Sequence, residues 1–125
     1  MAIIIVMLKM EKSEITKASI EDSTIEMLKS VFDPEIPVNV YDLGMIYKID
    51  VVDTEKPEDE KLYDINIDMT FTAPNCPAAD FIIEDINQKL GSIHGVNNVN
   101  VEVVFEPEWN KDMMTEEAKL DLGFM

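Results

Sequence analysis

Cysteine and histidine are nearly absent, since this chain of 125 residues has one of each, Cys76 and His94. A single cysteine excludes an internal disulfide framework and fits a reducing compartment, so a cytoplasmic protein is expected. The predicted helix between the two residues is roughly 20 Å long at 1.5 Å per residue. A Cys–His nucleophile pair within one chain is therefore nearly excluded. His94 is expected to be a solvated turn residue.

Basic residues and long apolar runs are also scarce. The 10 basic residues stand against 26 acidic ones, and the net charge of −16 argues against binding nucleic acid or anionic membranes. The apolar run 2–8 is much shorter than the ~20 residues that span a bilayer. No basic stretch precedes it and no small-residue cleavage pattern follows it, so a signal peptide is not expected. An added edge strand, a subunit contact or a foreign segment all fit this run.

Several catalytic motifs are missing as well. The sequence has no phosphate-binding glycine loop, no Ser-His-Asp set and no paired Cys-x-x-Cys. It has no internal repeat and no low-complexity tract. We expect one domain at residues 23–125, preceded by an N-terminal extension at residues 1–22.

The first helix is predicted to begin at Ser23. Ser23 and Glu26 have the spacing of a capping box, and Ile25, Leu28 and Phe32 share one face. The helix is expected to end before Pro34, which pushes the preceding residue out of the helical region. Residues 9–22, which are polar and mixed, are interpreted as a linker.

Two strands are predicted next, at residues 45–52 and at residues 63–71. The second alternates cleanly, which indicates one buried face and one polar face. The predicted inward residues are Tyr63, Ile65, Ile67, Met69 and Phe71, and the polar ones include Asp64, Asn66, Asp68, Thr70 and Thr72. The two strands are expected to form an antiparallel hairpin.

The remaining elements are a helix at residues 77–90, a strand and a short helix capped by Thr115. In the first of these helices, Ile82, Ile86 and Leu90 repeat every four residues and predict its buried stripe. The strand is predicted to point four side chains inward: Val99, Val101, Val103 and Phe105. The element order is α-β-β-α-β-α. This order predicts an α/β (α+β) fold, a two-layer sandwich with a small mixed sheet and helices on one face. A right-handed crossover is expected between the second and third strands.

Cys76 lies where the second strand pattern turns into the second helix pattern. Pro77 fits the first helical turn, which would make Cys76 the capping residue, with backbone N–H groups and the helix dipole facing its sulfur. That setting favours a reactive thiolate. The alternative is a small buried hydrophobic side chain at a tight turn.

Four other residues are candidates for the same site. Asp33 and Glu35 lie in a loop stiffened by two prolines, although the residues alone slightly favour a role in capping and solvation at a helix end. Thr70 and Thr72 point along one strand face toward Cys76, where their hydroxyls could line a polar pocket. We expect these side chains to converge with Cys76 around one pocket.

Three segments together resemble a known family. Residues 33–47 (DPEIPVNVYDLGMIY), 69–78 (MTFTAPNCPA) and 106–118 (EPEWNKDMMTEEA) are similar to the ordered motifs of the SufT/PaaD-like iron–sulfur assembly domain. The resemblance covers about residues 24–124. PaaD-like members carry further cysteines near the C-terminus. Their absence here favours the general SufT-like branch.

The resemblance implies a non-enzymatic accessory factor that matures iron–sulfur proteins. It implies site positions at Asp33, Glu35, Thr70, Thr72 and Cys76, and partners among the assembly machinery and apo-target proteins. Because a cluster usually needs four ligands, mostly thiolates, one cysteine per chain predicts transient contact with iron or a cluster rather than a stably bound cofactor. Asp33 and Glu35 would add oxygen ligands.

Three hypotheses about Cys76 and one about assembly stay open at this point. Cys76 could serve a maturation adaptor, act as the nucleophile of a thiol enzyme, or be a structural residue of an interaction module. A homodimer would supply two thiolates.

Overall fold

The computed structural model of the protein describes residues 15–34, 36–58, 60–72 and 77–124. Glu35 and Cys76 lie outside these residues. The elements in chain order are α1 Lys17–Leu28, β1 Ile46–Glu58, β2 Lys61–Met69, α2 Ala79–Gly91, β3 Val96–Val103 and α3 Glu116–Asp121, with a 3-10 turn at Lys111–Met113 before α3. The predicted order α-β-β-α-β-α and the α+β class are confirmed.

The helix α1 begins at Lys17, not at Ser23. Thr16 caps it, because the Ser19 amide donates to Thr16 Oγ1 at 3.1 Å and the Thr16 amide donates to Ser19 Oγ at 2.9 Å. This reciprocal pair satisfies two amides that the first turn would otherwise leave unpaired. The predicted capping box of Ser23 and Glu26 is therefore wrong, and residues 17–22 are helical rather than a linker. The boundary of the domain at residue 23 stays a prediction.

The buried face of α1 differs from the predicted one for the same reason. It consists of Ile20, Thr24 and Leu28, which follow each other at a spacing of four. Thr24 donates its hydroxyl hydrogen bond to the Ile20 carbonyl at 2.7 Å, so its polar atom is satisfied inside the core. Phe32, which was predicted on this face, comes after the helix end and is 46% exposed.

The sheet has the order β1-β2-β3, with β2 in the centre. β1 and β2 are antiparallel, and Val51 lies opposite Ile65, which confirms the predicted hairpin. β2 and β3 are parallel, and Ile67 lies opposite Val101, which confirms the mixed sheet. β1 continues to Glu58, beyond the predicted end at residue 52. The hand of the crossover stays a prediction.

The core lies between the sheet and the helices α1 and α2. Alternate residues of β2 are buried as predicted, and α2 contributes a stripe with the spacing of four. The largest buried side chains of these two elements are Ile65, Ile67, Met69, Ile82, Ile86 and Leu90. Each such side chain contributes roughly 1.5–3 kcal/mol by leaving water. Phe105, predicted to point inward, is 48% exposed because β3 ends at Val103.

The short helix α3 has the predicted cap. Thr115 Oγ1 accepts a hydrogen bond from the Ala118 amide at 3.2 Å, and Glu116 and Glu117 occupy the first turn. Among the described residues, no helix combines the length and apolar character needed to cross a membrane.

Candidate functional site

The end of β2 is the place where the three sequence motifs meet. The Thr70 amide donates to the Met45 carbonyl at 2.8 Å, which ties this end to the first motif. The Val104 amide donates to the Met69 carbonyl at 2.8 Å, which brings the segment after β3 alongside. The backbone thus places the third motif next to the second at the end of the sheet from which the chain continues to Cys76.

A pocket of about 510 Å³ opens between these segments. Its lining residues are Thr70, Phe71, Thr72, Phe105, Glu106, Glu108 and Trp109. We call it the threonine–glutamate pocket. The two threonines that were predicted as site residues therefore line one pocket together, and their functional role stays a prediction.

Thr70 is more deeply placed than the strand alternation predicted. Its position was expected on the half-exposed polar face, yet only 1% of its surface is exposed. β2 ends at Met69, so Thr70 no longer follows the pleat of the strand. Its side chain hydrogen-bonds with Tyr47, which satisfies the buried hydroxyl. Thr72 is half-buried.

Tyr47 joins all three motifs. Its hydroxyl donates to the Pro107 carbonyl at 2.7 Å and lies 3.4 Å from Sδ of Met113. Burial raises the pKa of Tyr47, and the hydrogen bond with Thr70 opposes part of that rise. The side chain is therefore a neutral hydroxyl at physiological pH, able to donate to Pro107 while it stays bonded to Thr70.

The third motif is fastened at a second point by Trp109. The indole Nε1 donates to the Leu43 carbonyl at 2.7 Å. Nearby, Gly44 has a φ of +78°, and a Cβ built there would lie 2.3 Å from the Met113 carbonyl oxygen. Only glycine allows this close approach of the two backbones. The loop after residue 40 and the segment before α3 are thus packed directly against each other.

Tyr47 and Trp109 were not predicted as parts of the site. Each belongs to a motif that resembles the family, and a buried Tyr or Trp normally needs a partner for its polar atom. This requirement for a hydrogen-bond partner was the one sequence feature that could have marked Tyr47 and Trp109 as parts of the site. The partner itself could not be read from the sequence, because it lies 60 residues away for Tyr47 and 66 residues away for Trp109.

Asp33 lies in the loop that follows α1 and is only 6% exposed. Its carbonyl accepts from the Ile36 amide at 3.1 Å, which tightens the loop. The alternative interpretation, a solvated carboxylate at the helix end, is wrong for Asp33, because α1 ends at Leu28 and Asp33 is buried. It is not among the residues that line the threonine–glutamate pocket. Its convergence with Glu35 and Cys76, which lie outside the described residues, stays a prediction.

The start of α2 differs from the sequence-based expectation. The helix begins at Ala79 and its N-cap is Ala78, so Pro77 precedes the helix and the predicted capping position of Cys76 is wrong. No side chain of the N-cap bonds the first turn. Cys76 itself is one of the four residues, 73–76, that the structure does not describe between Thr72 and Pro77.

The described residues contain no group of three or more His, Cys, Asp or Glu side chains arranged to hold a metal ion. His94 is exposed, and its Nε2 lies 2.6 Å from Oε2 of Glu60. This pair lies beyond the C-terminal end of α2, whereas Cys76 precedes its N-terminal end. The separation of His94 from the thiol, and with it the exclusion of a Cys–His pair, stays a prediction.

The fold and the pocket together define an α+β domain in which the second and third sequence motifs build one site, and this domain can be compared with known families. The sequence model of the family described as iron–sulfur cluster assembly protein matches residues 21–103. The chain therefore belongs to the iron–sulfur cluster assembly protein family, as the three motifs predicted.

Individual relatives agree with this assignment. A Porphyromonas gingivalis protein named Fe-S protein maturation auxiliary factor is 55% identical over 105 residues, which cover 84% of this chain and 92% of the relative. A Staphylococcus aureus protein, Fe-S protein maturation auxiliary factor SufT, is 36% identical over 93 residues, or 74% and 97% of the two chains. The crystal structure of a domain of unknown function from Bacillus anthracis superposes with a TM-score of 0.71 at 33% identity, covering 86% of this chain and 95% of that one.

Proposed function

We propose that this protein is an accessory factor in iron–sulfur protein maturation that assists cluster assembly or transfer to apo-proteins through Cys76. The observation that carries the proposal is the threonine–glutamate pocket, which residues of the second and third motifs build together. Thr72 lines this pocket, and the segment with Cys76 follows Thr72 directly in the chain. Family membership and the names of the two relatives supply the class of cargo.

The number of thiols argues for transient handling of this cargo. An iron–sulfur cluster is usually held by four ligands, mostly thiolates. One cysteine per chain leaves the remaining ligands to a partner, a small thiol or carboxylates such as those of Asp33 and Glu35. A cluster that shares its ligands with a partner is well placed for transfer, because the partner already holds part of it.

The same reasoning separates this role from catalysis. A thiol enzyme needs a base near its nucleophile, and the chain's only histidine is paired with Glu60 beyond the far end of α2. We therefore propose a non-enzymatic role in the cytoplasm. The partners are the iron–sulfur assembly machinery and apo-target proteins, and a second copy of the chain is a further source of a thiolate.

Complementation of a deletion strain tests this function, with aconitase activity as the measure of cluster delivery. Cys76→Ser removes the thiolate and keeps the side-chain size. We expect loss of rescue while the protein stays folded and abundant. Ala78→Ser is the matched control, because it places a hydroxyl two residues further along the chain, at the N-cap of α2 where serine is favoured, and leaves the thiol intact. Full rescue by Cys76→Ser would show that the thiol has no part in maturation.

A further inference from the structure

The threonine–glutamate pocket combines two carboxylates with two aromatic side chains. Glu106 and Glu108 flank Pro107, and Phe105 and Trp109 line the same space. Both glutamates are exposed. The ion pairs found in the described part of the chain all lie elsewhere, so neither carboxylate is neutralised by a neighbouring cation there.

The backbone that carries these groups is fixed at three points. The Val104 amide is bonded to Met69, the Pro107 carbonyl to the Tyr47 hydroxyl, and the Trp109 indole to Leu43, at distances of 2.8, 2.7 and 2.7 Å. These bonds join the segment to two other parts of the chain. A pocket held in this way loses little conformational entropy when a ligand enters, which raises its affinity for a complementary group.

We propose that the threonine–glutamate pocket binds an arginine side chain of a partner protein. A guanidinium group is planar, donates paired hydrogen bonds to carboxylates and stacks on aromatic rings. The pocket offers both carboxylates and aromatic rings. All ten basic residues of this chain are lysines, so the arginine must come from another protein. Thr72 lines the pocket, and the partner is thereby held beside the start of the segment that carries Cys76. Binding does not require iron, and it is measured without iron.

The direct test is a titration of the full chain with the peptide acetyl-Gly-Arg-Gly-amide, followed by NMR. The protein has a single tryptophan, so the indole N–H signal reports on Trp109 without ambiguity. About 0.15 M salt shortens the range of the attraction exerted by the net charge to about 8 Å. We expect a saturable shift with the arginine peptide. Peptides with citrulline or lysine in its place are expected to bind at least about tenfold more weakly, a difference of 1.4 kcal/mol.

A pair of double variants localises the binding. Glu106→Gln with Glu108→Gln is expected to weaken the arginine peptide at least about tenfold. The control is Glu26→Gln with Glu84→Gln, which makes the same change of charge on α1 and α2. This control is expected to change the affinity by less than about twofold, since distant sites act independently. Circular dichroism verifies that both variants are folded.

Three results would overturn the proposal. The first is no saturable shift of the Trp109 signal, in which case the carboxylates are solvated groups without a ligand. The second is equal binding of the citrulline or lysine peptide. The third is an equal loss of affinity in both double variants, which would assign the attraction to net charge alone. If Cys76→Ser does not affect complementation, the proposed role of Cys76 is wrong, but the three peptide-binding results do not change. The proposed function and the arginine site are therefore tested independently.

Discussion

The hydroxyl of Tyr47 offers the sharpest test of how the motifs are held together. Tyr47→Phe removes one oxygen atom and keeps the aromatic ring. Two contacts are lost, the hydrogen bond to the Pro107 carbonyl at 2.7 Å and the hydrogen bond with Thr70. The two losses differ in cost, because the two partners differ in their access to water.

Pro107 is exposed, so a water molecule can replace the tyrosine at its carbonyl. Thr70 is only 1% exposed, and its hydroxyl would lose its partner inside the protein. Leaving a buried polar group unsatisfied costs about 1–3 kcal/mol. We expect the free energy of unfolding to fall by this amount. At an m value of about 2 kcal/mol per M, the urea midpoint then falls by roughly 0.5–1.5 M.

Tyr63→Phe is the matched control for urea unfolding. Tyr63 lies on the same sheet and packs against the core, and its hydroxyl has no hydrogen bond within the described part of the chain. We expect this control to change the free energy of unfolding by less than about 0.5 kcal/mol. If Tyr47→Phe changes it no more than Tyr63→Phe does, the buried hydroxyl of Thr70 does not depend on Tyr47, and the cost assigned to this hydrogen bond is wrong.

Three further predictions concern pH, the first helix and bound iron. Because the pKa of Tyr47 is raised in the folded state, its contribution to stability is complete below the ordinary tyrosine pKa of about 10 and is lost as pH rises through the folded value. The stability difference between the wild type and Tyr47→Phe should therefore narrow above about pH 10 in urea titrations, and a constant difference would contradict this assignment. Thr16→Ala should cost about 1 kcal/mol by removing the cap of α1, whereas Ser23→Ala, inside the helix, should change stability by less than about 0.5 kcal/mol; the reverse order in thermal melts would restore the cap at Ser23. The purified protein should carry no stoichiometric cluster, because it has one cysteine per chain; iron and sulfide analysis of anaerobic preparations without added thiols would refute this by finding a full cluster.

Much of the fold follows from local patterns in the sequence. The alternation along β2 identified its buried side chains, and the spacing of Ile82, Ile86 and Leu90 identified the buried stripe of α2. Both patterns depend only on the geometry of a strand or a helix, which repeats every two or about 3.6 residues. Thr115 was recognised as a cap because its partner is three residues away.

Errors arose where two local signals competed. Thr16 with Ser19 and Ser23 with Glu26 both have the spacing of a capping box. The structure uses the first, which adds Ile20 to the buried face of α1. Phe32 and Phe105 were predicted to be buried by extending a pattern past the end of its element. The end of an element is set by tertiary packing as much as by propensity, so it is the least certain part of such a prediction.

The sequence by itself determined the order of the elements, the faces that they bury and the family to which the chain belongs. It also singled out Thr70 and Thr72 as candidates for one polar pocket, although it placed them on a strand that in fact ends at Met69. Only the tertiary structure decided that these threonines share a pocket with Glu106 and Glu108, and that Tyr47 holds this pocket together. The physical reason is separation along the chain. Hydrogen bonds between residues 60 or more positions apart depend on how strands and loops pack, and no local period encodes that packing.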